Sequence, residues 1–360
     1  MRGSVSVPGR VNLIGEHIDY HNLPVLPMAI QRRVTVAFES RMDGVVVAKS
    51  EDYPDRHFEL ADATPFAPGD WGNYLEAAVQ MLLRRWPLGT GINARITSDL
   101  PPAAGLSSSS ALLTAFALAL LRVNGISPTI HDLIELLPEG EQFVGTRGGG
   151  MDHAAVLASR AGCALLVHFA PCKFEPIPIP PGWAFLIAHS LTVAEKSGPV
   201  KAEYNSRRTA GVNALKILGL DSYRAACNQA ADGLPAAENA AFRHVIAESQ
   251  RVAEAVTALR QNNIECFGRL LSASHTGLRD ILRVSNPALD ELVECAREAG
   301  ALGARLTGAG FGGCAIILCK MNDRERVRSH LARSFYAGRT GFDPDNHLMV
   351  AEPSAGALPV

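Results

Sequence analysis

The sequence predicts an α+β protein of two domains, and three observations lead to this prediction. The chain has 360 residues, which is more than one ordinary hydrophobic core needs. Hydrophobic residues make up 47% and charged residues 19%, a balance that fills two cores and argues against disorder. Strand-like and helix-like patterns alternate in both halves of the chain.

Apolar periodicity locates the individual elements. Strands are expected at residues 34–39, 44–48, 93–98, 163–168, 184–188, 304–307 and 314–318. Helices are expected at residues 73–84, 109–121, 130–137, 140–144, 201–218, 236–259, 264–275 and 287–299. The segment 109–121 is apolar almost throughout, which predicts a helix buried on most sides.

A proline-rich stretch, residues 176–181, marks the predicted boundary between the domains. Prolines stiffen a connection and remove backbone donors, so a linker is one interpretation and an edge strand is the other. On the linker interpretation the domains are residues 1–181 and 182–360.

Composition excludes several classes of protein. The net charge is -2 and no run of basic residues occurs, so neither nucleic acid nor a membrane surface is an expected partner. The seven cysteines are odd in number and form no Cys-x-x-Cys pair, which favours a reducing compartment over a disulfide framework or a zinc site. No segment resembles a signal peptide or a membrane span. We expect a cytoplasmic monomer whose partners are small molecules.

A run of serines between a strand and a helix is the first candidate site. It contains Gly105, Leu106, Ser107, Ser108, Ser109 and Ser110. The free N–H groups at a helix start bind anions, and serine hydroxyls donate to phosphate or coordinate magnesium. The alternative is helix capping by serine, although one serine is enough for a cap. The sequence lacks the ordinary P-loop motif.

A second glycine-rich segment matches a dinucleotide fingerprint only formally. Gly308, Gly310 and Gly313 have the Gly-x-Gly-x-x-Gly spacing, but a strand-like segment follows where the dinucleotide fold needs a helix. The pattern instead predicts a glycine turn between two strands, lying close to a ligand. A simple tight hairpin is the alternative.

Two polar segments carry candidate recognition and catalytic groups. Arg10, Glu16, His17 and Asp19 lie within ten residues, and such groups suit paired hydrogen bonds to hydroxyls. Their spacing does not match a zincin, and a solvated loop is the alternative. Asp152 follows three glycines and is a candidate general base, with helix capping as the alternative.

In this order, the four segments resemble the galactokinase branch of the GHMP kinases. Residues 9–20 and 25–30 are similar to the galactokinase signature, 102–111 to the phosphate motif, 149–152 to the segment of the catalytic Asp, and 306–313 to the third motif. Residues 71–74, 204–208 and 351–353 also resemble galactokinases in particular. The resemblance covers nearly the whole chain.

The resemblance implies a two-domain GHMP kinase fold with the active site in the cleft between the domains. It implies ATP, magnesium and phosphoryl transfer to the anomeric hydroxyl of galactose. Asp152 would take or orient the hydroxyl proton, and Arg10 would keep Asp152 ionised and stabilise the moving phosphoryl group. The implied sugar-binding residues are Glu16, His17, Asp19, Gly149 and Tyr204, and the implied ATP-binding residues are the serine run with Gly308 and Gly310.

Four departures from the family pattern bear on the substrate and the metal. Ile18 stands for Thr, residues 21–23 replace Asn-Gly-Gly, and His153 stands for Gln. The family's magnesium-side Glu falls on Gly140, so Glu141 is the expected metal ligand with Ser109, and Glu139 is the alternative. Arabinose, galacturonate or N-acetylgalactosamine are alternative substrates, an acidic one being favoured if Arg147 faces the pocket. A non-catalytic sugar sensor is a weaker alternative.

Overall fold

A computed structural model describes residues 1–51, 53–101, 104–145, 148–193, 199–226 and 231–357. The elements of its first half are β1 (Arg2–Ile14), β2 (Leu26–Arg41), β3 (Val45–Ser50), β4 (Tyr53–Glu59), α1 (Gly72–Leu83), β5 (Gly91–Ser98), α2 (Ser108–Val123), α3 (Ile130–Phe143), α4 (Met151–Ala158), β6 (Cys163–His168) and β7 (Lys173–Pro178). Those of the second half are β8 (Trp183–His189), α5 (Pro199–Ile217), α6 (Ala236–Arg260), α7 (Ile264–Thr276), α8 (Pro287–Glu298), β9 (Gly303–Leu306), β10 (Cys314–Lys320), α9 (Arg324–Arg333), α10 (Pro344–His347) and β11 (Leu348–Ala351). This mixture of helices and sheets confirms the α+β class.

Two larger sheets and one hairpin organise these strands. The first sheet has the order β1-β2-β5-β3-β4, in which β3 and β5 run parallel and the other neighbours antiparallel. The second sheet has the order β11-β8-β10-β9 and is antiparallel throughout. β6 and β7 form a separate hairpin.

The polar segment with Arg10, Glu16, His17 and Asp19 begins inside a long strand rather than in a loop. Residues 8–14 belong to β1, whose register with β2 shifts between Pro8 and Arg10 and again between Asn12 and Ile14. Residues 7–14 are buried, so the solvated-loop alternative is wrong. Register shifts of this kind redirect side chains, and here they occur where the strand enters the cleft.

The apolar segment after the serine run forms α2, as predicted. Residues 110, 111 and 113–121 are buried, because α2 packs against α1, α4 and the strands β1 and β2. A helix this apolar needs partners on most of its surface. The packing fixes the N-terminal end of α2, and with it the serine run, near the end of β1.

The proline-rich stretch is in part an edge strand, so the linker interpretation is wrong for its first half. Pro176 and Pro178 lie in β7, which pairs with β6 alone. Prolines are tolerated on an edge strand, where the missing donors face no partner. The main apolar cluster extends across residue 181, since Ile187 and Ile316 belong to the same cluster as Val11 and Leu120. The domain boundary at residues 181 and 182 stays a prediction.

Several elements differ from the sequence prediction. The two helices expected at residues 130–137 and 140–144 are one helix, α3, which contains Pro138. The strands β1, β4 and β11 and the helices α4, α9 and α10 were not predicted. Among the described residues, no helix is long and apolar enough to cross a membrane, and the six described cysteines form no disulfide.

Two glycines near the start of β5 differ in how closely the neighbouring backbone approaches them. A Cβ on Gly91 would lie 2.1 Å from the Val45 carbonyl oxygen, whereas a Cβ on Gly89 would meet nothing within 4 Å. We expect Gly91→Ala to destabilise the protein by about 1–3 kcal/mol, because backbone blocks the added methyl group. Denaturant unfolding measures this. Gly89→Ala is the matched control, and equal stability of the two variants would contradict the prediction.

Candidate active site

Arg10 and Asp152 form a buried ion pair where β1 and α4 meet. Arg10 Nε donates to Asp152 Oδ1 at 2.7 Å, and Arg10 Nη2 lies 2.6 Å from the same oxygen. Arg10 Nη1 donates to the Gly105 carbonyl at 2.7 Å. Burial opposes the charge of Arg10, but the carboxylates of Asp152 and Glu16 outweigh it and raise the pKa of Arg10. The guanidinium therefore stays charged and holds both the candidate base and the glycine of the serine run.

Asp152 lies in the first turn of α4, which begins after Gly150. Gly150 occupies the N-cap position, so Asp152 does not cap the helix and that alternative is wrong. A negative charge in the first turn is stabilised by the helix dipole. The helix and Arg10 thus both favour the ionised carboxylate that a general base requires.

Two of the serine hydroxyls contact carboxylates. Ser107 Oγ donates to Asp152 Oδ2 at 2.6 Å. Ser110 Oγ donates to Glu141 Oε1 and lies 3.4 Å from Asp152 Oδ2. The resemblance places Ser109 at the metal, whereas the serine whose hydroxyl contacts the candidate metal carboxylate is Ser110.

Helix capping does not explain the serine run. Ser107 occupies the N-cap position of α2, yet its side chain makes no capping hydrogen bond. Its backbone is left-handed, with φ 58° and ψ 37°, whereas an ordinary N-cap is extended. A non-glycine residue in such a conformation is strained by about 1–2 kcal/mol. The capping alternative is wrong, and the side chain of Ser107 faces Asp152.

Glu141, not Glu139, lies in the cleft. Glu141 is buried and lines the cleft with Arg10 and Asp152. The side chain of Glu139 is 54% exposed and pairs with Arg84 at 2.6 Å. Gly140 lies between them and leaves space that the side chains of Leu113 and Met81 occupy. α3 therefore presents one acidic side chain to the cleft, at the position next to Gly140.

Glu16 is held rigidly at the far wall of the cleft. Its Oε1 accepts from the Gly308 backbone N–H at 2.6 Å and lies 3.2 Å from Arg305 Nη2. The Glu16 backbone carbonyl accepts from His244 Nε2 at 3.0 Å. These contacts fix a carboxylate in a position suited to accept hydrogen bonds from ligand hydroxyls.

His17 forms part of the cleft wall, but both nitrogens of its ring are hydrogen-bonded within the protein. Its Nε2 donates to the Ala309 carbonyl at 3.1 Å, so its Nδ1 accepts from the Tyr20 hydroxyl at 2.9 Å. Burial, together with His244, lowers the pKa of His17 to about 3, so the ring is neutral. The ring also lies 5.2 Å from that of Tyr204, measured between centroids. Both ring nitrogens are hydrogen-bonded within the protein, and the residue lines the cleft.

Asp19 faces the backbone of the predicted glycine segment. A Cβ on Gly149 would lie 2.3 Å from Asp19 Oδ2, so a glycine is required for this approach. Burial, with the nearby charges of Asp152 and Glu16, raises the pKa of Asp19 to about 7. The carboxylate of Asp19 therefore takes up a proton near neutral pH.

The two glycine-rich segments touch through their backbones. A Cβ on Gly308 would lie 3.0 Å from the Gly105 carbonyl oxygen, and a Cβ on Gly313 would lie 3.0 Å from that of Ala104. Gly310 packs in the same manner against Val284. β9 and β10 flank this segment as antiparallel neighbours, which confirms the predicted glycine turn between strands. The turn also lies against the serine run. The alternative of a simple tight hairpin does not account for this contact.

Nine of the sixteen predicted site residues line one cleft: Arg10, Glu16, His17, Asp19, Glu141, Gly149, Asp152, Tyr204 and Gly308. The four serines of the run are not part of its lining. Leu106 lies behind it, with its carbonyl accepting from the Arg10 N–H at 3.1 Å, while Ser108 is half-buried at the start of α2. Lys201 also lines the cleft, which the sequence did not indicate.

A buried charged network behind the signature was also missed. Arg305 Nη1 donates to the carbonyls of Asn12 and Leu13, at 2.8 and 2.9 Å. Glu248 accepts from the Gly15 N–H at 3.0 Å and from Arg251 Nε at 2.7 Å. Burial opposes ionisation of Glu248, but Arg251, His244 and Arg305 lower its pKa to about 2. The sequence signal for this network is a charged residue, such as Arg305 or Glu248, within an otherwise apolar helix or strand pattern.

The departures from the family signature lie away from this lining. Ile18 is fully buried in the main apolar cluster. His21 packs between the rings of Tyr20 and Tyr223, at 4.7 and 4.8 Å between centroids. His153 is buried in α4. Arg147, which was considered as a contact for an acidic substrate, lies outside the described residues.

Comparisons with known proteins identify the class first. The model for the GHMP kinases N terminal domain matches residues 73–160, and that for the GHMP kinases C terminal matches residues 255–337. Mevalonate kinase from L. major has the same fold, with a TM-score of 0.67, 20% sequence identity, and 98% of this chain and 97% of that chain covered. The fold and the cleft are those of a GHMP kinase, a phosphotransferase with an alcohol group as acceptor that uses ATP.

More specific matches identify the branch. The galactokinase galactose-binding signature matches residues 2–40. Galactokinase from Bos taurus is 36% identical over 94% of this chain and 88% of its own length, and that from Roseiflexus sp. (strain RS-1) is 35% identical over 93% and 88%. Lactococcus lactis galactokinase, solved in complex with galactose, has a TM-score of 0.90 at 28% identity and covers 100% of this chain and 95% of its own. The chain belongs to the galactokinase family.

The raised pKa of Asp19 predicts a pH-dependent cost to stability. The folded-state pKa of about 7 lies above the value of about 3.9 for an unfolded aspartate, so the unfolded chain loses this proton first as pH rises. Stability is therefore lost between these two values and stays lost above pH 7. We expect Asp19→Asn to raise the melting temperature of the ligand-free protein by a few degrees at pH 8 and to have little effect at pH 4.

Calorimetry at the two pH values measures this effect. Asp62→Asn, at an exposed position, is the control and should change neither melting temperature. A melting temperature for Asp19→Asn at pH 8 that equals the unmodified protein's would contradict the prediction.

Proposed function

We propose that this protein is an ATP-dependent galactokinase that converts galactose and ATP to galactose 1-phosphate and ADP. The observation that carries the proposal is the Arg10–Asp152 ion pair at one side of a cleft whose other side holds Glu16, His17 and Asp19. Such an arrangement places a base and a fixed cation beside groups that bind hydroxyls. The family's galactose-binding signature, at residues 2–40, supports galactose as the sugar.

The reaction follows from the positions of Asp152 and Arg10. The anomeric hydroxyl gives its proton to an oxygen of Asp152 as it attacks the γ-phosphorus of ATP. The bond from the γ-phosphorus to the bridging oxygen breaks, and ADP leaves with that oxygen. Arg10 keeps Asp152 ionised beforehand and places a planar cation near the transferring group, where positive charge is most effective.

Glu141 and Ser110 are suited to hold magnesium with the nucleotide. They offer hard oxygen ligands that already contact each other, with Glu141 in the cleft lining and Ser110 buried behind it, and Mg²⁺ prefers such ligands together with phosphates and water. Within the described ranges no group of three His, Cys, Asp or Glu residues forms a metal site, which fits an ion held largely by ATP. When bound, the ion neutralises charge on the phosphates.

The charge of the cleft favours a neutral sugar over a sugar acid. Its described lining carries four carboxylates, those of Glu16, Asp19, Glu141 and Asp152, and two cationic side chains, those of Arg10 and Lys201. A carboxylate on the substrate would be repelled by this excess of negative charge, whereas neutral hydroxyls donate to it. Galacturonate is therefore disfavoured, and arabinose and N-acetylgalactosamine are the neutral alternatives. A monomeric state and a cytoplasmic location stay predictions from the sequence.

A panel of free sugars tests the substrate. With Mg²⁺ and ATP, we expect galactose to be phosphorylated with the highest kcat/KM, and galacturonate not to be phosphorylated. Coupled detection of ADP, with mass spectrometry of the sugar phosphate, measures both. A lack of turnover with galactose, or a preference for galacturonate, would sink the proposal.

Substitution of the base tests the mechanism. Asp152→Asn should lose nearly all turnover and keep ATP-analogue binding, because the amide cannot accept the proton. Arg10→Lys should also lower turnover severely, because the point charge of an ammonium group does not replace the planar guanidinium that holds both Asp152 and Gly105. Steady-state kinetics and calorimetric titration separate the two quantities. An Asp152→Asn protein with most of its kcat would show that Asp152 is not the base.

The pair Glu141 and Glu139 tests the metal assignment. We expect Glu141→Gln to raise the Mg²⁺ concentration for half-maximal rate by about tenfold, and to weaken Mn²⁺ binding in the presence of an ATP analogue as measured by electron paramagnetic resonance. Glu139→Gln, two residues away on the surface, is the matched control. If Glu139→Gln had the larger effect, the assignment of Glu141 would be wrong.

A further inference from the structure

We propose that Ser107 is a positioning residue whose hydroxyl holds the base Asp152, rather than a donor to the phosphates of ATP. The inference deepens the proposed kinase function, on which it rests. It reassigns one residue of the run that the sequence treats as a uniform phosphate site.

Arg10 and Ser107 contact different oxygens of the Asp152 carboxylate. Arg10 contacts Oδ1 with two nitrogens, at 2.7 and 2.6 Å. Ser107 donates to Oδ2 at 2.6 Å, a distance typical of a strong hydrogen bond from hydroxyl to carboxylate. Contacts at both oxygens fix the rotation of the carboxylate plane, which Arg10 alone would leave freer. Ser107 is buried, so water does not compete for this bond.

The backbone of Ser107 points to the same role. Its left-handed conformation suits glycine, and the serine makes no capping hydrogen bond there. A strained non-glycine residue persists where its side chain is needed, and such residues cluster at functional sites. Of the contacts that its side chain makes in the described structure, the one to Asp152 is the reason for a hydroxyl at this position.

The contact also joins the base to α2, the helix for which Ser107 is the N-cap residue. Ser107 starts the helix that follows the phosphate loop. The loop conformation that accepts ATP therefore also fixes the orientation of the Asp152 carboxylate.

Two substitutions separate this role from a backbone role. Ser107→Gly removes the hydroxyl and suits the left-handed backbone, and Ser107→Ala removes the hydroxyl and keeps the strain. We expect both to lower kcat by about 10- to 100-fold and to leave KM for ATP within about twofold. Ser334→Ala, at an exposed serine far along the chain, is the control with unchanged kinetics.

Each other outcome overturns the proposal. A Ser107→Gly protein with unchanged kcat would show that only the backbone matters. A rise in KM for ATP with unchanged kcat would show that the hydroxyl serves the phosphates. The comparison uses whichever sugar the unmodified protein phosphorylates, so failure of galactose as substrate does not affect it.

Discussion

Arg10 and Asp152 are 142 positions apart in the chain, and their contact joins β1 to the start of α4. The same guanidinium donates to the Gly105 carbonyl, so one side chain links β1, the start of α4 and the serine run. Arg10 is buried, and a buried cation needs such partners to offset its desolvation. The ion pair therefore joins three segments that are far apart in the chain.

The concentration of acids around this pair explains much of the surrounding structure. Glu16 is held by the Gly308 N–H and by Arg305, which is itself fully buried. Among the described residues no cation forms an ion pair with Asp19, and its pKa is raised to about 7. The protein thus keeps several carboxylates close together although their repulsion lowers stability, a trade-off often seen at functional sites.

The sequence predicted the motifs better than their internal arrangement. The resemblance to the galactokinase branch placed Arg10, Glu16, Asp19 and Asp152 in one site, because the order of the motifs along the chain matches that branch. It did not separate Ser109 from Ser110, since adjacent helical residues differ by about 100° in direction and only packing fixes the rotation of α2. Nor did it reveal Arg305 or Glu248, because a buried charge looks like a surface charge until its partner is known. The edge strand β7 was one of two open alternatives, which pairing with β6 decided.

The contact between Gly105 and Gly308 has a consequence for engineering. The two segments meet without any side chain between them, although about two hundred residues separate them in the chain. A phosphate loop grafted from another kinase would therefore fit only if its partner glycine turn were transplanted with it. The two segments therefore form one structural unit, although they are far apart in the sequence.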